Sequence, residues 1–322
     1  MDKYEDKDFY NPERKIEFLN SKFEVMEEKS VDPYARLFKT LKQDEEKYDS
    51  DICDFNYDAL MDSMSLRFSR GVRSKGIQLS LLKDYVGWCI SKRYKKIDDN
   101  PIDLIKPSDI DTSVQIRKQF IKDPEQLYNI LDTALYSEKE DYQTIDIMYR
   151  LLCLLIYEGV SEHEALELTK ENVDFLNNTI SYNGKVLAMS KKLTSVVKQV
   201  YDLDVVYKKI RAGSLAELKL EDSNKLFRCL DYNKNIQVNL KRRLSKIRKD
   251  YGNETYEVIS LSSVRLYLSG IYYRLYQKEL SGKKLDKEDF YFDNEGKADG
   301  VGYYKQYFNK LEYEQWKKAF KL

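Results

Sequence analysis

Apolar positions recur every three to four residues along most of this chain, and the places where they stop mark its joints. In "IQLSLLKDYVGWCISKRY" (77–94), Leu79, Leu82, Val86 and Ile90 fall on one helical face. Lys75, Lys83, Lys92 and Arg93 are left to the edges and the other face. "DFNYDALMDSMSLRFSRG" (54–71) has the same period, and the first fifty residues are helical in pattern but acidic. "DDNPIDLIKPSDIDTSVQ" (98–115) has two prolines, many turn formers and no helical period, and reads as an interdomain linker.

A second, larger region opens at "DPEQLYNILDTAL" (123–135), with Asp123 as N-cap and Pro124 at the first helical position. "TIDIMYRLLCLLIYEG" (144–159) predicts a strongly apolar helix stopped at Gly159. In "YEGVSEHEALEL" (157–168), Ser161 and Glu164 make the S-x-x-E pattern of a capping box, which predicts a new helix. "NTISYNGKVLAMS" (178–190) is the clearest β-signal, two short runs joined by Asn183-Gly184, the preferred type I′ turn. Helical patterns follow through "LTSVVKQVYDLDVVYKKI" (193–210), "NIQVNLKRRLSKIRKDY" (235–251) and "SSVRLYLSGIYYRLYQKEL" (262–280). The expected fold is therefore mostly α with a small β-hairpin or sheet.

Composition narrows the class. The chain has 322 residues, enough for two domains, with 34% charged residues and only 12 glycines. No apolar run approaches the ~20 residues of a membrane span, and the polar start "MDKYEDKDFY" is no signal peptide. These features predict a cytoplasmic protein. The four cysteines, at 53, 89, 153 and 229, lie far apart among apolar residues and read as reduced core thiols. A single histidine, His163, on the first turn after Ser161, reads as a surface residue. The acid pairs have no metal or glycosidase spacing, and there is no phosphate-binding glycine loop. No cofactor is expected.

The formal net charge of zero conceals segregation. Residues 1–50 hold fourteen acids against ten bases, whereas residues 69–96 hold eight bases against one acid, Asp84. Residues 234–249, "KNIQVNLKRRLSKIRK", hold seven bases and no acid. Two such blocks are the footprint of a polyanion binder. The alternative is that they are solvated helix faces.

The order of elements over roughly residues 50–322 resembles the tyrosine recombinase (phage integrase) family. Asn100-Pro101 matches that family's linker, and "FIKDPEQLYNILDTAL" looks like the helix that opens its catalytic domain. "LLCLLIYEGVSEHEALELTKENVDFLNNTI" follows its helix, glycine, helix, Asp and strand order without a gap. "LFRCLDYNKNIQVNLKRRLSKIRKDYGNETYEVISLSSVRLYLSGIYYRLY" matches the later part. The resemblance implies an acidic helical extension (1–50), a helical core-binding domain (51–98), a linker (99–116) and a larger catalytic-like α+β domain (117–322). In that family the two domains clamp DNA from opposite sides.

The family's chemistry needs a tyrosine nucleophile, two arginines on the phosphate oxygens, and a lysine and histidines for proton transfer. The first arginine position, two after Gly159, is Ser161, whose hydroxyl cannot replace a bidentate guanidinium. The second survives as Arg265, with Ser262 at the histidine three residues before it and Leu266 after it. The hairpin lysine could only be Lys185. Near the C-terminus Lys297 replaces a histidine, and Tyr304 and Tyr307 bracket the nucleophile position. Losing one preorganised charge contact typically costs ~10²–10³ in rate. The expectation is a recombinase-like fold that is not an enzyme.

The DNA-holding signals remain: Arg70, Arg73, Lys75, Lys92, Arg93, Lys95 and Lys96 in the first block, Lys241, Arg242, Arg243 and Lys246 in the second, and Arg265. These predict salt-dependent binding to double-stranded operator DNA. Within the family, the chain resembles the integrase-like master repressors of large Bacillus prophages of the SPbeta group. That resemblance implies transcriptional repression that maintains lysogeny, with a second copy or a regulatory protein as further partner. A divergent but active recombinase and a helical protein–protein adaptor are the alternatives.

Overall fold

The computed structural model describes residues 5–68, 72–96, 100–135, 146–209, 214–228, 262–286, 288–290 and 310–322. The chain is mostly helical, with two small antiparallel sheets, and divides into two compact units, Met1–Ile116 and Arg117–Leu322.

The first unit is built from α1 (Pro12–Phe23), α2 (Glu28–Tyr48), α3 (Tyr57–Arg67) and α4 (Val72–Ser91), with 3₁₀ turns at Ile52–Asp54 and Pro101–Leu104 and a short α5 (Ser113–Arg117) at its end. The apolar face read from α4 is the one that is buried: Leu79, Leu82 and Val86 are in the core and Ile90 packs against it. Tyr85 and Cys89 of the same helix are buried with them.

The first fifty residues are not a separate extension. Phe18 of α1 is fully buried and meets Tyr34, Phe38, Tyr85 and Trp88 edge-on, at ring separations of 5.1–5.8 Å. Val31, Leu37, Phe38 and Leu41 of α2 share that core with α3 and α4. Asp44 on α2 receives the Arg67 fork at 2.8 and 2.9 Å and the Ser63 hydroxyl at 2.8 Å, which fixes α3 to α2.

The stretch expected as a linker also differs from its reading. Ile102, Ile105 and Ile110 are buried in the first unit's core, so these residues are packed rather than free. Their turn-forming neighbours describe the local backbone correctly, but three isoleucines bury too much apolar surface to remain in solvent.

The second unit centres on α7 (Asp146–Tyr157), whose side chains from Ile147 to Tyr157 are buried except Arg150. Arg150 reaches out to Asp132 of α6 (Pro124–Leu135) in an ion pair. Gln126 donates its amide to Asp123 Oδ1 at 2.8 Å, the N-cap of α6. A short α8 (Glu162–Glu167) leads into β1 (Val173–Asp174), β2 (Thr179–Tyr182) and β3 (Lys185–Ala188). Their register pairs Val173 with Ile180 and Tyr182 with Lys185 around the Asn183-Gly184 turn, where both φ values are positive.

After α9 (Lys191–Tyr201), the helix expected to run to residue 210 instead gives way to a strand. β4 (Val205–Lys209) pairs antiparallel with β5 (Leu215–Lys219), Val205 opposite Lys219. "DVVYKKI" is apolar enough for either structure; burial of Val206 and its partner Leu218 against the core selects the strand. α10 (Ser263–Leu280) and α11 (Lys310–Phe320) complete the described elements. α11 docks through Trp316, which is fully buried and donates its indole N–H to the Ile121 carbonyl at 3.2 Å. The helical pattern at 235–251 lies outside the described residues.

Candidate nucleic-acid interface

The first basic block does not present all its cations alike. Lys75, on the first turns of α4, is buried, and its ammonium donates to the Ile110 carbonyl at 2.9 Å. It is a structural residue rather than a phosphate contact, which corrects its assignment. Its neighbours in sequence gave no sign of this, because the carbonyl it reaches lies 35 residues away.

At the other end of α4 the chain turns through Arg93, held in the left-handed region at φ 64°. Lys92 pairs with Glu17 at 2.9 Å, and that bond holds the Glu17 carboxyl below its ordinary range. Lys95 donates to the Cys53 carbonyl. Arg93 and Lys96 are exposed. Lys95 and Lys96 line a groove of about 650 Å³ together with Phe55, Tyr57, Tyr94 and Leu104. A cationic rim of this kind suits the phosphates of a polyanion. Arg70 lies outside the described residues, and Arg73 is placed only as a residue of α4.

In the second unit, two of the positions singled out by the recombinase resemblance are helix caps. Ser161 Oγ accepts the Glu164 amide at 3.2 Å, while Glu164 Oε2 accepts the Ser161 amide at 2.9 Å. Ser262 likewise caps α10, its Oγ accepting the Arg265 amide at 3.3 Å. Both hydroxyls are committed to orphan amides at helix starts.

Glu164 also joins the hairpin to α8. Its Oε1 accepts from Asn183 Nδ2 at 3.2 Å and stands 3.8 Å from the ammonium of Lys185. Burial raises the Glu164 carboxyl, but the Ser161 amide and hydroxyl, Asn183 and Lys185 together hold it below its ordinary range. Lys185 is two-thirds exposed on β3. Arg265, on the first turn of α10, lays its guanidinium 5.1 Å from the Phe120 ring. His163 is exposed, as its position on the turn suggested.

Sequence reasoning missed Arg274. Its Nη1 donates to the Tyr157 carbonyl at 2.8 Å and stands 4.0 Å from Glu158. The same guanidinium lies 2.9 Å from where a Cβ on Gly159 would sit, and Gly159 has φ +98°. Gly270, one helical turn before Arg274, presses on the Tyr157 carbonyl so closely that a Cβ there would lie 1.7 Å from the oxygen. A glycine four residues before an arginine on an apolar helix was the available signal.

Lys241, Arg242, Arg243, Lys246, Lys297, Tyr304 and Tyr307 lie outside the described residues. Among the described residues, no group of three His, Cys, Asp or Glu side chains could hold a metal ion. No helix among them is long and apolar enough to cross a membrane. Cys53, Cys89 and Cys153 are buried free thiols, and burial pushes the Cys153 thiol up to about 12.

No curated protein matches the chain. Among solved structures, XerA recombinase aligns over 96% of this chain and 98% of its own, at 11% identity and a TM-score of 0.37. The integrase from mycobacterium phage Brujita covers 95% of this chain and 96% of its own, at 11% identity and a TM-score of 0.35. The Tn1549 transposon integrase in complex with circular intermediate DNA covers 94% of each chain, at 13% identity and a TM-score of 0.34. Residues 9–91, from the start of the first unit's core to the end of α4, match the family model described as MrpR, N-terminal core-binding domain, so this part of the first unit, α1 and α2 included, is similar to that domain.

Proposed function

We propose that this chain binds double-stranded DNA at defined operator sites through a recombinase-like scaffold without strand-transfer chemistry, and acts as a transcriptional repressor of the prophage type. The observation that carries this reading is the match of residues 9–91 to a core-binding domain. It covers most of the first basic block and stops just short of the exposed cations Arg93 and Lys96. The use of Ser161 and Ser262 as helix caps supports the non-catalytic part. A hydroxyl already accepting a backbone amide offers a phosphate no bidentate charge.

Arg265 and Lys185, at two positions of the family's chemistry, favour a second reading, an active recombinase. One experiment separates the two. Genomic fragments that bind the full chain are recovered, and the bound site is then offered as a nicked suicide substrate. The repressor reading expects tight, salt-sensitive binding to a defined site and no covalent adduct. An adduct would establish strand transfer, and indifference to DNA at low salt would leave a protein–protein adaptor.

A further inference from the structure

The first unit holds a group of polar and ionised side chains in its buried centre, and they are unevenly matched. The Lys15 ammonium, fully buried, donates to Glu45 Oε1 at 2.6 Å, to Asp51 Oδ2 at 3.0 Å and to the Tyr10 carbonyl at 2.9 Å. Asp51 is well supplied. It also accepts from the Tyr85 hydroxyl at 3.0 Å and the Cys53 amide at 3.1 Å, and Arg14 stands 3.9 Å away. Glu45 accepts only on Oε1, from Lys15 and from the Ile52 amide at 2.8 Å. Its Oε2 is buried and has no hydrogen-bond partner among the described residues.

Every neighbouring element contributes a group. Arg14 and Lys15 come from α1, Glu45 from α2, Asp51, Cys53 and Asp54 from the turn after α2, and Tyr85 and Cys89 from α4. With both carboxylates ionised, two anions share one fully buried ammonium, while Arg14 also serves Asp54 at 3.1 Å. An unpaired anionic oxygen in such surroundings is strongly disfavoured. A proton on Oε2 removes that charge and the repulsion from Asp51, and leaves both bonds to Oε1 in place. Burial is the largest influence on Glu45; Lys15 opposes it and Asp51 adds to it, and together they push the carboxyl up to about 7.

We infer that Glu45 is a proton-binding site built into the core of the first unit, and that its occupancy sets how tightly α1, α2 and α4 close on one another. The sign follows from linkage. The folded unit takes up a proton that the unfolded chain has already released, so the stabilisation is complete below 4.5 and is lost as pH rises through about 7. Between pH 6 and pH 8 the closing equilibrium weakens roughly tenfold.

The test is hydrogen exchange of the full chain at pH 6 and pH 8, corrected for intrinsic exchange rates, read on peptides from α1, α2 and α4. The expected result is roughly tenfold lower protection at pH 8, absent in Glu45→Gln, whose amide stands in for the protonated acid. Equal wild-type protection at both pH values, or an undiminished pH dependence in Glu45→Gln, overturns the inference. A ¹³C titration of the Glu45 carboxyl in the unaltered chain reads the site directly. A midpoint near 7 supports it, and one near 4.5 overturns it.

Discussion

Ser161 and Glu164 satisfy each other: the serine hydroxyl accepts the glutamate amide at 3.2 Å, and the glutamate carboxylate accepts the serine amide at 2.9 Å. The pair starts α8 at the position that the recombinase resemblance assigns to an arginine. Because Glu164 also meets Asn183 and Lys185, the cap fixes the hairpin as well.

Ser161→Ala removes one half of this box and should destabilise the second unit by about 1 kcal/mol, seen as a lowered unfolding midpoint in urea. Ser161→Arg should lose the same cap and still form no covalent adduct on a nicked suicide substrate, since Ser262 stands at another needed position. An adduct from that single change would sink the non-catalytic reading.

Gly270→Ala places a Cβ 1.7 Å from the Tyr157 carbonyl oxygen, a backbone atom that cannot move without displacing α7. The expected cost exceeds about 4 kcal/mol. Loss of the cooperative thermal transition of the second unit by calorimetry would show it; a near-normal transition would mean that the two helices are not packed as described.

The basic residues at the two ends of α4 should respond differently to substitution. Arg93→Glu and Lys96→Glu should each lower the slope of log affinity against log salt by ~1. Lys75→Met should leave that slope unchanged while reducing stability by roughly 1.5–3 kcal/mol, because it strands the buried Ile110 carbonyl. Fluorescence anisotropy across a salt series, paired with urea unfolding, separates the two behaviours.

Acid should release α11. Burial raises the Glu279 carboxyl, but Tyr313 and Lys317 of α11 hold it below its ordinary range. A depressed carboxylate contributes stability above its ordinary range and loses it as pH falls through the lowered value. Emission from Trp316, read in a Trp88→Phe background, should report the loss below about pH 4. Glu279→Gln should lack the acid-dependent part.

Much of the local structure was legible in residue order. The Asp123 cap, the apolar α7, the Ser161–Glu164 box and the Asn183-Gly184 turn each depend on chemistry within four or five residues, and each is present. The buried face of α4 was readable for the same reason, since a 3.6-residue period is itself a local property. The mostly helical fold with small sheets followed from these pieces.

Packing between distant segments was not legible. Phe18 and the isoleucines at 102, 105 and 110 share one core only because segments more than eighty positions apart fold together. A helical pattern or a run of turn formers does not say which surface will cover it. β4 is a strand because β5, ten residues on, pairs with it and Val206 finds the core. The direction of a lysine is decided in the same way: Lys75 and Lys96 belong to one basic block, yet one turns inward to a carbonyl and the other faces solvent. Charge and periodicity along the chain established what kinds of surface exist. Burial, which depends on partners far away in sequence, determined which cations face solvent and which turn inward.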